Sequence, residues 1–144
     1  MKQILQAILF YFSRIIIRRY KPVIIAVTGS VGKTSAKEAI YTVLKTKFRV
    51  RKSEFNYNNE IGVPLAIFGL PHPGKNIFRW FALFLLVIAD ALVKNKNFPE
   101  MLILEMGVDR PGDMKHLIAC APPLVGVITE IGEIPVHVEF FSGP

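Results

Sequence analysis

The sequence runs to 144 residues and 16.2 kDa, room for one ordinary domain with a real core. Hydrophobic residues make up 51% and charged residues 20%, which excludes a disordered chain, and a lone cysteine, Cys120, excludes a disulfide framework or a Cys-rich zinc site and fits a reducing compartment. The formal charge of +7 is unevenly spread: residues 1–53 hold 12 basic and 1 acidic residue, residues 54–144 hold 6 basic and 10 acidic. The front half therefore suits phosphates, nucleic acid or anionic lipid, and the back half suits a divalent cation.

Residues 2–19 read as an amphipathic helix. At 100° per residue Lys2, Gln3, Gln6, Ser13 and Arg14 share one face, and Ile4, Leu5, Ile8, Leu9, Phe12, Ile15 and Ile16 fill the other. Arg18, Arg19 and Lys21 follow, and Pro22 stops the helix. Two readings stay open for it: a helix packed on its own domain, or an interfacial helix with a basic collar. Its uncharged run, residues 3–13, is too short to span a bilayer (about 20 residues are needed), and it lacks the small-residue cleavage site of a signal peptide.

Residues 23–28 form a continuous apolar run, the pattern of a strand buried on both faces. A glycine-bearing loop follows, then a helix over 33–47 with Ala36, Ala39, Ile40, Val43 and Leu44 as its apolar stripe. A short strand is expected at 48–51, a polar loop with Asn56, Asn58 and Asn59 at 53–62, and a short helix at 63–70 that starts near Pro64 and is broken by Pro71, Pro73 and Gly74. Residues 76–94 form a second, strongly apolar helix with a narrow polar stripe of Arg79, Asp90 and Lys94; such a helix is buried or touches something outside the chain. A buried strand at 101–104 ends at Glu105, a helix covers 111–119, and another apolar strand of the buried type, expected to present an unpaired edge, lies at 124–129 before a Gly- and Pro-marked tail. Apolar strands alternating with helices predict an α/β fold, a mostly parallel sheet flanked by helices of P-loop type. Ligands of such sheets bind at the carboxyl ends of the strands, where the 29–34 loop, Glu105 and residues 129–137 fall.

The strongest chemical signal is Thr28-Gly29-Ser30-Val31-Gly32-Lys33-Thr34-Ser35 between a buried strand and a helix. Glycines let backbone N–H groups converge on an anion, and the helix N-terminus adds partial positive charge. Lys33 suits β- and γ-phosphates and Thr34 suits Mg²⁺, although Val27 stands where the strict P-loop pattern has its first glycine. Glu105, at the end of an apolar strand, needs a partner: a metal ion, a metal-bound water, or an ion pair with Arg110 or Lys115. His137 follows the last strand as a candidate metal ligand, whereas His72 and His116 read as surface residues.

Four motifs together, TGSVGKTS at 28–35, NYNNEIG at 56–62, EMGVDRPG at 105–112 and residues 131–140, resemble the central domain of the Mur ligases, in the branch that adds D-alanyl-D-alanine to a UDP-linked muramoyl tripeptide. The resemblance divides the chain into an N-terminal helix, 1–21, and part of an ATP-binding central domain, 22–144. It implies ATP-dependent amide-bond formation through an acyl phosphate in cell-wall precursor synthesis, with ATP and Mg²⁺ as cofactors. A UDP-linked muropeptide and a D-alanyl-D-alanine-like amine would be the partners, the location cytoplasmic, and no nucleic acid is involved. By match, Thr28 to Ser35 hold the phosphates, Lys33, Glu105 and His137 are catalytic, Thr34, Glu105 and His137 hold metal, and Asn58 and Asn59 lie on the substrate side. These residues by themselves are expected to be inactive as a ligase. The alternative is a non-catalytic P-loop nucleotide-binding module, in peripheral membrane contact through residues 2–19 and 76–94. A P-loop kinase or GTPase is disfavoured because Glu105, not Asp, ends the candidate metal strand.

Overall fold

The computed structural model describes residues 2–54 and 57–131. Its elements are α1 (Lys2–Tyr20), β1 (Val23–Thr28), α2 (Lys33–Leu44), β2 (Val50–Lys52), α3 (Gly62–Phe68), α4 (Ile77–Leu92), β3 (Met101–Glu105), α5 (Asp113–Cys120) and β4 (Val125–Ile128). The four strands form one parallel sheet in the order β2-β3-β1-β4. Every strand-to-strand connection contains at least one helix, as parallel neighbours require.

Side chains alternate across the strands and divide the core in two. Ile24 and Ala26 of β1, with Leu102 and Leu104 of β3, face a large cluster that holds Leu9 and Ile16 of α1, Val63 to Phe68 of α3, Leu83 and Val87 of α4 and Leu117 of α5. Ile25, Val27 and Ile103 face the other way, onto Ala36, Ile40, Tyr41 and Leu44 of α2. β1 thus leads out to a helix on one face, while its neighbour β3 leads out to α5 on the opposite face. That divergence opens a crevice at the carboxyl ends of β1 and β3, where parallel sheets take their ligands.

The element boundaries depart from the periodic reading in instructive places. The second helix stops at Leu44, three residues early, and the amides of Lys47 and Phe48 close on the carbonyl of Leu44. β2 consequently starts at Val50, where it finds its register against Met101. The third helix is ended by Gly69, not by the later prolines: at φ 70° it takes the left-handed conformation, and its amide bonds Leu65 and Ala66 carbonyls. Arg51 Nη1 then donates to the Ile67 carbonyl, tying β2 to that helix end.

Two burial expectations are corrected. Among the described residues β4 is the last strand of the sheet, paired with β1 alone as the unpaired-edge expectation has it, and it is not buried: Val125 and Ile128 are 46% and 64% exposed. The inward face of α1 is also rotated from the one read off its polarity. Leu9, Ser13 and Ile16 are buried, whereas Ile4 is 66% exposed. Ser13 can turn inward because its hydroxyl donates to the Leu9 carbonyl at 2.8 Å, which satisfies it within the helix.

Candidate active site

β1 ends at Thr28 and the chain turns through Gly29 (φ 136°) and Gly32 (φ 84°) into α2. A side chain is excluded at Gly29 twice over, by that φ and by Thr129, whose Oγ1 and following backbone occupy the space a Cβ would need. α2 starts at Gly32 without a side-chain cap, so its leading amides and its positive dipole end face the crevice. Lys33 folds back over the loop, its Nζ donating to the Gly29 carbonyl at 2.6 Å and the Ser30 carbonyl at 3.3 Å. The end of β4 closes the far side: the Ser30 amide donates to the Glu130 carbonyl at 2.6 Å, and Thr129 Oγ1 donates to the Val31 carbonyl.

Glu105 stands one strand away, at the carboxyl end of β3, and is 4% exposed. Its partner is neither Arg110 nor Lys115. Lys37 Nζ, 2% exposed, sits 3.1 Å from Glu105 Oε2, and Thr34 Oγ1 lies 3.4 Å from the same oxygen. Charge and carboxylate enter the interior as a pair, which is how burial of either becomes tolerable. Periodicity alone hides Lys37, which interrupts the polarity pattern like any surface lysine. On a helical wheel, however, it falls beside Ile40 and Leu44 within the sheet-facing stripe of α2, opposite an acidic strand end. That combination is the signal a sequence carries for it.

The Asn loop reaches the same crevice. The Gly107 amide donates to the Asn58 carbonyl at 2.8 Å, and the Asn58 side chain packs so close to Gly107 that a Cβ there would meet it at 3.1 Å. Asn59 Oδ1 accepts from the Ile61 and Gly62 amides and holds the turn that leads into α3. Asn58, Asn59 and Gly107 line an open cleft together with Asp109, Arg110 and Asp113. His72 and His116 are exposed, as expected for surface residues. Asn56 and His137 lie outside the described residues.

A hydroxyl from Thr34 and a carboxylate from Glu105 are hard oxygen donors of the kind Mg²⁺ accepts alongside phosphate and water oxygens. No group of three His, Cys, Asp or Glu side chains able to hold a metal occurs among the described residues. These two donors fit a magnesium ion whose remaining ligands would be phosphate and water oxygens.

Residues 27–78 match the Mur ligase middle domain. The UDP-N-acetylmuramoyl-tripeptide–D-alanyl-D-alanine ligase of Bacillus subtilis is 36% identical over 110 residues, 76% of this chain and 19% of that protein. The ligase of the same description from Synechocystis is 34% identical over 115 residues, 80% of this chain and 20% of that protein. Among solved structures, the MurF ligase of Thermotoga maritima in complex with ADP aligns with a TM-score of 0.63 at 33% identity, covering 88% of this chain and 24% of that one. The chain thus spans about a fifth of the length of the curated relatives it matches.

Proposed function

Because this chain belongs to the Mur ligase family, we propose that it carries the ATP-phosphate site of an enzyme that joins a D-alanyl-D-alanine-like amine to a UDP-linked muropeptide in cytoplasmic peptidoglycan precursor synthesis. The observation that carries this reading is the meeting, at the carboxyl ends of adjacent strands, of the 28–35 loop and Glu105, with Thr34 of that loop beside the carboxylate. Gly29 and Gly32 let the loop wrap an anion, and the first amides of α2 donate to it. Lys33, now turned onto the loop carbonyls, swings to the β- and γ-phosphates when they displace it. Thr34 and Glu105 would hold Mg²⁺, with His137 as a further ligand by resemblance, and the metal would offset the repulsion between a phosphate and a substrate carboxylate. Asn58, beside Gly107, borders the substrate side of the crevice.

Isothermal titration of the chain with ATP and Mg²⁺ tests the phosphate site. Lys33→Ala removes a charge-assisted contact worth about 1.5–3 kcal/mol, so affinity should fall roughly 10- to 150-fold while the circular dichroism spectrum stays the same. Unchanged affinity in the folded variant would sink the assignment. At the full natural length of the enzyme, incubation with ATP, a UDP-muramoyl tripeptide and D-alanyl-D-alanine should release one phosphate per amide formed.

A further inference from the structure

α1 and α4 lie side by side and run in the same direction. Phe12 meets Phe84 with ring centroids 6.1 Å apart, and eight residues further on Tyr20 Oη donates to the Asp90 carbonyl while Arg19 reaches the Leu92 carbonyl. Only one face of each is used for packing. On α4 the outward stripe is Phe78, Phe81, Leu85, Ile88 and Leu92, spaced by three and four residues, with Phe78 80% and Leu92 74% exposed. On α1, Ile4, Ile8 and Tyr11 are exposed beside the row that meets α4. An apolar surface of this extent on two adjacent helices marks an interaction site.

The charge around it says what kind. Residues 2–21 and 75–96 contain nine basic residues and one acidic residue, Asp90. Because the helices are parallel, Arg18 and Lys21 at the end of α1 fall at the same edge as Lys94 and Lys96 beyond α4, and all four are exposed. Lys75 and Arg79, both exposed, mark the opposite edge. Protein interfaces are depleted in lysine, whereas an anionic lipid surface attracts it. No helix of the described residues is long and apolar enough to cross a membrane. The 16 residues of α4 reach about 24 Å, short of the ~30 Å hydrocarbon core.

We propose that α1 and α4 form a platform that lies on an anionic bilayer, the outward stripe of α4 entering the headgroup–acyl boundary and the lysines and arginines at both edges meeting lipid phosphates. The platform is on the face of the sheet opposite α2 and leaves the crevice at the carboxyl ends of β1 and β3 to the nucleotide.

Co-sedimentation of the full chain with phosphatidylcholine vesicles, with and without phosphatidylglycerol, tests this. The chain should bind the anionic vesicles, and binding should weaken as salt rises. Phe78→Asp/Leu85→Asp should reduce the partition constant about tenfold or more, and the milder Phe78→Ser/Phe81→Ser should act in the same direction. These side chains point away from the core, so the circular dichroism spectrum should be unchanged. Lys94→Glu/Lys96→Glu should erase the preference for phosphatidylglycerol, whereas Lys45→Glu/Lys47→Glu, beyond α2 on the other side of the sheet, should not. Failure of the chain to bind either vesicle overturns the proposal, as does binding that the α4 variants leave intact. A dimer in solution that Phe78→Asp/Leu85→Asp dissociates also overturns it, because a second copy would then be the occupant.

Discussion

Lys37 and Glu105 show how structure and chemistry can rest on the same side chains. Each is the other's partner in the interior, and Glu105 is also the candidate metal ligand. A single Glu105→Gln change therefore leaves a buried ammonium facing a neutral amide, and the fold and the chemistry suffer together. Breaking one side of a buried pair costs about 3–5 kcal/mol. Lys37→Met and Glu105→Gln should each destabilise by that order, and the double variant by clearly less than the two combined, as read by urea unfolding. Additive costs would mean that the two groups do not support one another. Cys120 is a second residue whose behaviour follows from its surroundings. Burial against α1 raises its thiol from 9.0 to about 11, the Ser13 hydroxyl and Arg14 opposing the shift only in part. The folded chain thus holds this proton more tightly than the unfolded one. Stability from this group is fully present below pH 9 and is lost as pH climbs from about 9 to about 11. A thiol reagent at neutral pH should label Cys120 slowly in buffer and rapidly in urea; equal rates would show an open site.

At the level of elements, α4 is held by its ends and by one narrow face. Asn76 accepts from the Phe78 and Arg79 amides at 3.0 and 3.2 Å, capping the helix, while only Leu83 and Val87 are buried within it. With so little burial the cap matters more than it would in a core helix. Asn76→Ala should cost about 0.5–2 kcal/mol and loosen the first turn of α4, measurable as faster amide exchange over residues 77–80. No change in exchange there would mean that packing against α1 alone holds the helix.

Across the whole molecule, stability should be graded from the centre of the sheet outward. β1 is paired on both sides and buried across its middle, whereas β4, among the described residues, pairs with β1 alone and is largely exposed. Amide exchange should be slowest in β1 and β3 and clearly faster in β4, and equal protection would mean that β4 is covered on its outer side. The crevice lies between the well-protected strands. Its floor should stay formed while the Thr129 and Glu130 side, which bonds the Ser30 amide and the Val31 carbonyl, opens first.

Local chemistry is enough to read most of this fold. The apolar runs of β1 and β3, the glycine loop ahead of Lys33, and Pro22 after α1 act over a few residues, so their patterns are visible in the chain itself. The α/β class and the position of the loop and Glu105 at strand ends follow from that order. What stays hidden depends on which surfaces meet. Polarity assigns Ser13 to the solvent, but its bond to the Leu9 carbonyl lets it face the core, and Ile4 is left outside. Composition marks residues 124–129 as buried, but among the described residues strand order places β4 at the end of the sheet, paired with β1 alone. Lys37 looks like a surface charge until the sheet brings Glu105 within 3.1 Å of it. Hydrophobicity along a chain says how much apolar surface an element carries; only packing decides which part of that surface is covered, and by what.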